Sequence, residues 1–490
     1  MPNGWRRRAR CWSGRGPSEE SEPGRGDVAT VCRALRQPTG ESCRVRMGGA
    51  MGRLVPVLAV ASLLFVGLWV GPGTADVEIL GYDLGVGVSE PDTVVDVAAE
   101  LRLRLRPPTA RIQLLFSSRA ALLGIEAMVG GACMPLEAGR QAGDSLVIFL
   151  PESLRAADSL HLQLRYALPR RPLPGVTYLS RGHRWYPQLI DQIAPFRLRV
   201  DLPGGWTSFS GGDLVADSKA GTERQMVWAS DMPVFKIELA LAPPASVRDD
   251  SVEAGGVTFH LVSSRADTAA ARQILGDATK AFSYFRSLLG EFPYRRFTVL
   301  ETAEWPGTNI GSGIVVPGKP AVDAFLAGHR DELRLALACQ WMGAGIFPEF
   351  MSPGYWFLQL SLPHYLRLMY VKEADGEREF ENQLERSLAA YERFAGTDQD
   401  VAIAEIAMLD TPAKGAAIYG KGPYVAHRLA RSLGDARWRE TLRLLYGRYR
   451  GRTLTCADLC AWLDERDAAG KPGSRLQAML SAKGLPAAEE

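Results

Sequence analysis

Between Val77 and about Leu241 apolar and polar residues alternate, whereas from Asp331 onward the apolar residues recur at helical spacing. A period of two sends neighbouring side chains to opposite faces of a strand, and a period near 3.6 gathers them on one side of a helix. The runs 101–105, 111–116, 160–164 and 196–200 each read as a strand with one apolar face, and turn residues separate them. The first unit, 76–248, is therefore expected to be an antiparallel β-domain. The acidic, glycine-bearing stretch 249–256 reads as the boundary. Beyond it a strand is expected over 257–262, a helix over 269–290 and a strand over 297–300. Further helices are expected over 375–394, 422–433, 437–449 and 456–467. The fold class is α+β, with the second unit, 249–490, mostly helical in its C-terminal half. With 490 residues, 46% hydrophobic and 23% charged, there is ample material for two cores.

Residues 1–46 differ from the rest: they hold ten arginines against five acids, no lysine and little apolar periodicity. They read as a disordered leader or as text upstream of a start at Met47 or Met51. From Met51 the pattern is that of an export signal: Arg53, then the 17-residue apolar core from Leu54 to Val70, then Gly71-Pro72-Gly73-Thr74-Ala75. Residues 47–75 are thus expected to act as a signal peptide cleaved after Ala75, with a retained membrane anchor through 54–70 as the alternative. Either reading places the protein outside the cytoplasm: periplasmic, secreted or anchored. From Asp76 onward 46 basic residues face 50 acidic ones, so no basic surface points to a nucleic-acid partner.

Metal-ligating residues are sparse. The six histidines are His161, His183, His260, His329, His364 and His427, and no two stand four apart. Cysteines from Asp76 onward are Cys133, Cys339, Cys456 and Cys460. The last two, at i and i+4, read as packing residues on one helix face, and Cys339 reads as a small buried hydrophobe. His329, Asp331 and Glu332 read as the polar first turn of a helix.

Five segments, in order, resemble the aminopeptidase N-like zinc peptidases. Leu335-Ala336-Leu337-Ala338-Cys339-Gln340-Trp341-Met342-Gly343 is similar to the family's H-E-x-x-H-Q-W-x-G run, in which two histidines grip zinc and the glutamate is the general base. Tyr419-Gly420-Lys421-Gly422, continuing to Ser432-Leu433-Gly434-Asp435, is similar to the segment whose tyrosine stabilises the oxyanion. Phe292-Pro293-Tyr294 and Gly307-Thr308-Asn309-Ile310-Gly311 resemble a strand start and the segment whose glutamate recognises the substrate's amino terminus. Trp185-Tyr186-Pro187, with Leu202-Pro203-Gly204-Gly205-Trp206, resembles the family's β-domain. The resemblance implies a thermolysin-like second domain and a substrate cleft. It would line that cleft with Gly307, Thr308, Asn309, Gly311, Trp341 and Gln359 and place Tyr419 at the oxyanion position.

The chemistry itself is missing from these motifs. Where the family carries zinc ligands this chain has Leu335, Cys339 and either Leu358 or Gln359. Ala336 stands in place of the base, and Ile310 in place of the amine-binding glutamate. No zinc or other cofactor is expected. A buried imidazole or carboxylate without its metal would be costly, and apolar replacements remove that cost. Three readings stand: an exported, catalytically silent aminopeptidase-like protein that binds a peptide or protein in the inherited cleft; an envelope scaffold with the cleft closed; and an active hydrolase with an atypical site drawn from Cys339, His364, Tyr419 and Gln359. Trp305, Trp341, Tyr355, Trp356 and Tyr419 are candidate groove aromatics.

Overall fold

The computed structural model describes residues 76–485 apart from 89–93, 130, 142, 170–174 and 303–306. The leader, the apolar run 54–70 and Trp305 lie outside the described residues. Among the described residues no helix is long and apolar enough to cross a membrane.

The architecture is α+β, β-rich first and helical in its C-terminal half. An eight-stranded sheet runs edge to edge through Asp213–Ala220, Glu223–Val234, Ala194–Pro203, Val77–Val88, Val94–Leu105, Ser159–Pro169, Ala121–Val129 and Ala132–Pro135. Strand Val94–Leu105 shows why it forms. Val95, Val97, Ala99, Leu101, Leu103 and Leu105 are buried on one face, while Asp96, Arg102 and Arg104 are exposed on the other. The strand over 160–164 lies within Ser159–Pro169 and the one over 196–200 within Ala194–Pro203. The sheet is not purely antiparallel: Val77–Val88 runs parallel to Ala194–Pro203, with Leu84 opposite Leu198. Alternation fixes which face a strand buries but not the direction of its neighbour. Two three-stranded sheets complete this half, Arg111–Leu115 with Ser145–Phe149 and Glu137–Gln141, and Thr207–Ser210 with Leu239–Ala242 and Thr177–Leu179.

The stretch read as a boundary is itself a strand. Arg248–Ala254 pairs with Val257–Ser263 through a two-residue turn at Gly255 and Gly256, with φ of 58° and 76°. Positive φ at both positions is the geometry of a tight hairpin, which glycine adopts without strain. A five-stranded sheet continues through Arg296–Leu300, Ile314–Pro317 and Thr308–Gly311, the last being its edge strand.

Ten helices are found among the described residues: α1 (Thr268–Leu289), α2 (Lys319–Leu326), α3 (Asp331–Ala338), α4 (Leu362–Asp375), α5 (Glu377–Glu392), α6 (Pro412–Ala416), α7 (Gly422–Leu433), α8 (Asp435–Tyr449), α9 (Cys456–Arg466) and α10 (Pro472–Ser481). Helix α1 starts where the Asp267 carboxylate caps the Ala270 amide at 2.8 Å, and buries Ile274, Ala278, Ala281, Phe282, Phe285 and Leu289. The helix expected over 375–394 is interrupted at its start, because Gly376 takes a φ of 94° and separates α4 from α5. All four described cysteines are free, with Cys456 and Cys460 buried on α9. A small apolar cluster, including Tyr178, Phe209, Val262, Leu300 and Ile314, joins the Leu239–Ala242 sheet to the five-stranded one. That contact brings the edge strand Thr308–Gly311 against the β-rich half, where Asn309 meets Lys236, Glu238 and Tyr178.

Candidate functional site

Helix α3 stops where the zinc-like run needs it to continue. The Cys339 amide donates to the Leu335 carbonyl at 2.9 Å; beyond it the chain tightens and turns at Gly343, where φ is 120°. The residues that match the family here hold the fold together. The Gln340 side chain donates to the Gly311 carbonyl at 3.0 Å and accepts from the Gly313 amide at 2.9 Å, clamping the hairpin. Trp341, expected to line the groove, lies instead in the core. Its indole N–H donates to the Gly290 carbonyl at 3.0 Å, and its ring packs with Phe282 and Phe292 at 5.6 and 5.5 Å.

The positions that differ from the family form an apolar floor. Cys339 is fully buried, Ala336 is 1% exposed, Leu358 4% and Leu335 8%. Burial pushes the Cys339 thiol up to about 12, with Lys236 acting the other way, so the sulfur stays protonated. These residues do not fit a zinc ion. They supply one protonated thiol and the half-buried amide of Gln359, and zinc takes thiolate, imidazole or carboxylate. Among the described residues no three His, Cys, Asp or Glu side chains gather closely enough to hold a metal. His364 stands beside Tyr419, ring centroids 6.0 Å apart, and is held by its own helix. Its Nε2 accepts from the Arg367 guanidinium at 2.8 Å, and its Nδ1 is enclosed without a hydrogen-bond partner. Burial, and then Arg367, hold its pKa well below the usual range, keeping the ring neutral.

Gln359 and Tyr419 stand on two facing π-helical turns. The Leu362 amide bonds the Phe357 carbonyl and the Gly422 amide bonds the Ala417 carbonyl, each five residues back. Such one-residue insertions in α-helices are frequent at functional sites. The Ser361 hydroxyl donates across to the Ile418 carbonyl at 2.7 Å. The glycines flanking Lys421 sit where no side chain fits, Gly422 against this contact and Gly420 against α5. A Cβ at Gly420 would lie 2.5 Å from the Ser387 carbonyl oxygen, and one at Gly422 would lie 2.0 Å from the Ser361 hydroxyl. Buried Lys421 donates to the Ala482 carbonyl. Tyr419 is half-buried, and its hydroxyl bonds no described residue. Burial, then Cys339 and Glu332, push its pKa up.

The opposite wall comes from the segment joining Glu223–Val234 to Leu239–Ala242. Lys236 donates to Asn309 Oδ1 at 2.7 Å. The Asn309 amide donates in turn to the Tyr178 hydroxyl at 2.6 Å and to Glu238 at 3.3 Å, and the Tyr178 hydroxyl donates to Glu238 at 2.6 Å. Burial lowers the Lys236 pKa, opposed by Glu238, and raises that of Glu238, opposed by Lys236. The Thr308 hydroxyl donates to Glu332 of α3, whose carboxyl is raised by burial. Gly307 accepts from the Gly318 amide at 2.7 Å, and Gly311 leaves room for Glu238, whose Cγ would lie 3.1 Å from a Cβ placed there.

Two hydrogen bonds and a set of electrostatic influences link these groups. Lys236 binds Asn309, its neighbour Thr308 binds Glu332, and Glu332 lies within electrostatic reach of Tyr419. Tyr419 and Lys236 in turn lie within reach of Cys339, and the Cys339 sulfur sits 4.0 Å from the Gln359 carbonyl oxygen. Lys236, Thr308, Asn309, Glu332, Gln359 and Tyr419 are all half-buried. Of these, the resemblance points to Thr308, Asn309, Gln359 and Tyr419; it does not point to Lys236, Glu238 or Glu332. A signal for two of them exists in Phe235-Lys236-Ile237-Glu238-Leu239, where opposite charges at i and i+2 interrupt an apolar run. Glu332 reads from sequence only as a first-turn acid.

The fold defined by these elements is that of the two-domain M1 zinc metallopeptidases. The M1 zinc metallopeptidase of Deinococcus radiodurans, solved with a Tyr-Ser-Ala substrate, superposes with a TM-score of 0.68 at 17% identity, covering 87% of this chain and 98% of that one. A two-domain M1 zinc metallopeptidase bound to L-tryptophan gives 0.69 at 18%, with the same coverages. Native yeast LTA4 hydrolase gives 0.67 at 14%, covering 85% of this chain and 69% of its own. No protein-family model and no curated protein sequence matches the chain.

Proposed function

We propose that this chain is a non-hydrolytic protein on a peptidase fold that binds a peptide in the recess between its two halves. One observation carries the reading. The positions where a zinc peptidase would need its ligands and base hold buried Leu335, Ala336, Cys339 and Leu358, while Lys236, Glu332, Gln359 and Tyr419 keep half-buried polar groups. The floor offers no group to activate water, whereas the rim offers donors and acceptors with capacity to spare. A structural neighbour is known with a tripeptide substrate bound, so the recess is of a kind that accommodates one. The proposal also places the chain outside the cytoplasm, on the strength of the apolar run from Leu54 to Val70.

The test is calorimetric titration with Tyr-Ser-Ala, with chromatography of the same mixture for released amino acids. Saturable binding with intact peptide is expected. Release of tyrosine overturns the silent reading, and absence of binding returns the protein to the scaffold role. Amino-terminal sequencing of secreted material, expected to begin at Asp76, tests the export signal.

A further inference from the structure

Behind the turn that carries Tyr419, three buried polar side chains hold a segment with little apolar surface of its own. Lys421, Tyr391 of α5 and Asp400 are 0%, 0% and 4% exposed. The Asp400 carboxylate accepts from the Tyr391 hydroxyl at 2.6 Å, the Gly396 amide at 2.9 Å and the Gly484 amide at 2.7 Å. Lys421 donates to the Ala482 carbonyl, and its ammonium lies 5.5 Å from the centre of the Tyr391 ring. Burial pulls the Lys421 pKa down, with Asp400 acting the other way. The stretch Ala482–Gly484, which follows α10, is thus pinned at both ends by buried groups, although Lys483 and Leu485 beside it are exposed. Withdrawing a carboxylate and an ammonium from water is costly, and the apolar contacts of so short a segment do not require it. What the two charges secure is one arrangement of the chain around them.

That arrangement includes Tyr419. Lys421 ends the π-helical turn Ala417–Lys421, two positions beyond the tyrosine. Between them, Gly420 presses on the same part of α5: a Cβ there would lie 2.5 Å from the Ser387 carbonyl oxygen and 3.0 Å from Tyr391 Cβ. Ser361 holds the turn from its other side, through the Ile418 carbonyl. A π-turn carries one residue more than the α-helix around it. Slipping by that residue into the α-helical register would swing a side chain by roughly 100° about the helix axis. A fixed Lys421 prevents the slip.

Taking peptide binding through Tyr419 as given, we propose that Asp400 and Lys421 are positioning residues for that tyrosine. They act through the strap Ala482–Gly484, which they clamp, and hold the turn in its π-helical register so that the Tyr419 hydroxyl meets the peptide.

The experiment measures Tyr-Ser-Ala binding by calorimetry in the wild type, Asp400→Ala and Gly484→Pro, each with Tyr419 intact and with Tyr419→Phe. Proline at 484 lacks the amide that bonds Asp400 and cannot take the φ of 71° found there. It therefore frees the strap without altering the buried residues, and answers alone if Asp400→Ala fails to fold. With Tyr419 intact, each change should weaken binding about two- to tenfold, a loss bounded by that of the hydroxyl itself. In the Tyr419→Phe background neither should weaken it further, because residues acting through one group are not additive. Equal losses in both backgrounds, or none in either, overturn the positioning role and leave peptide binding standing. A wild type that binds no peptide overturns the peptide reading, and amide hydrogen exchange then decides the strap. Exchange at Gly420 and Gly422 should quicken in Gly484→Pro while that of α9 stays as it was. Unchanged exchange at both glycines overturns the strap as well.

Discussion

The Ser361 hydroxyl and the Ile418 carbonyl, 2.7 Å apart, join the two π-helical turns that carry Gln359 and Tyr419. The contact leaves no room for a side chain at position 422. Gly422→Ala should therefore destabilise the protein by about 1–3 kcal/mol, the usual cost of overpacking. Elsewhere in a helix the same change stabilises by up to about 1 kcal/mol, so the sign is diagnostic. Urea denaturation checks it, and a more stable variant contradicts the packing described.

Restoring the lost motif should fail. Leu335→His with Ala336→Glu places polar groups in a floor that is 8% and 1% exposed. Each group left unsatisfied costs about 1–3 kcal/mol. A lower melting temperature without gain of zinc is expected; unchanged stability would mean that the floor is hydrated.

Much of the fold is legible in the sequence, because burial on one face enforces a period. The strand around Leu101 and helix α1 are read from spacing alone, and Gly255-Gly256 carries a hairpin signal that its acidic flanks obscure. Topology is less legible: nothing in the alternation of Phe196 to Val200 specifies a parallel neighbour. Half of the site is legible through motifs, and those motifs mix two kinds of residue. Gln340, Trp341, Gly420 and Gly422 match the family because they hold the hairpin, the aromatic core and the π-turn contact. They say little about chemistry. Lys236 and Glu238 come from a distant connection between two strands and reach Asn309 only through the packing of the two halves, which local pattern cannot encode.

Removing the Tyr419 hydroxyl separates a binding recess from a closed scaffold. The hydroxyl bonds no described residue, so Tyr419→Phe should leave the melting temperature nearly unchanged. Affinity for Tyr-Ser-Ala should fall a few-fold to about tenfold, the worth of about 0.5–1.5 kcal/mol of hydrogen bond. A drop in melting temperature with unaltered affinity would assign the hydroxyl to the core.

Stability should also carry the mark of His427. Burial, then Arg431 and Lys372, lower its pKa to about 4, against about 6.5 in an unfolded chain. The folded state thus resists protonation. The contribution is complete above pH 6.5 and is lost as pH falls toward 4. Glu238 and Glu332 shift upward and act with the opposite sign, so the wild type is compared with His427→Gln. The stability difference between them should change across that window in the direction that penalises histidine at low pH. A difference independent of pH contradicts the assignment.

The central claim is that the floor beneath the recess neither binds zinc nor hydrolyses peptides, and one measurement addresses it directly. The purified chain is equilibrated with excess zinc, desalted, and analysed for metal while the same sample is assayed on aminoacyl substrates. Well under one zinc per chain and no release of amino acid are predicted. One tightly held zinc per chain, lost together with activity in Cys339→Ala, would contradict the account.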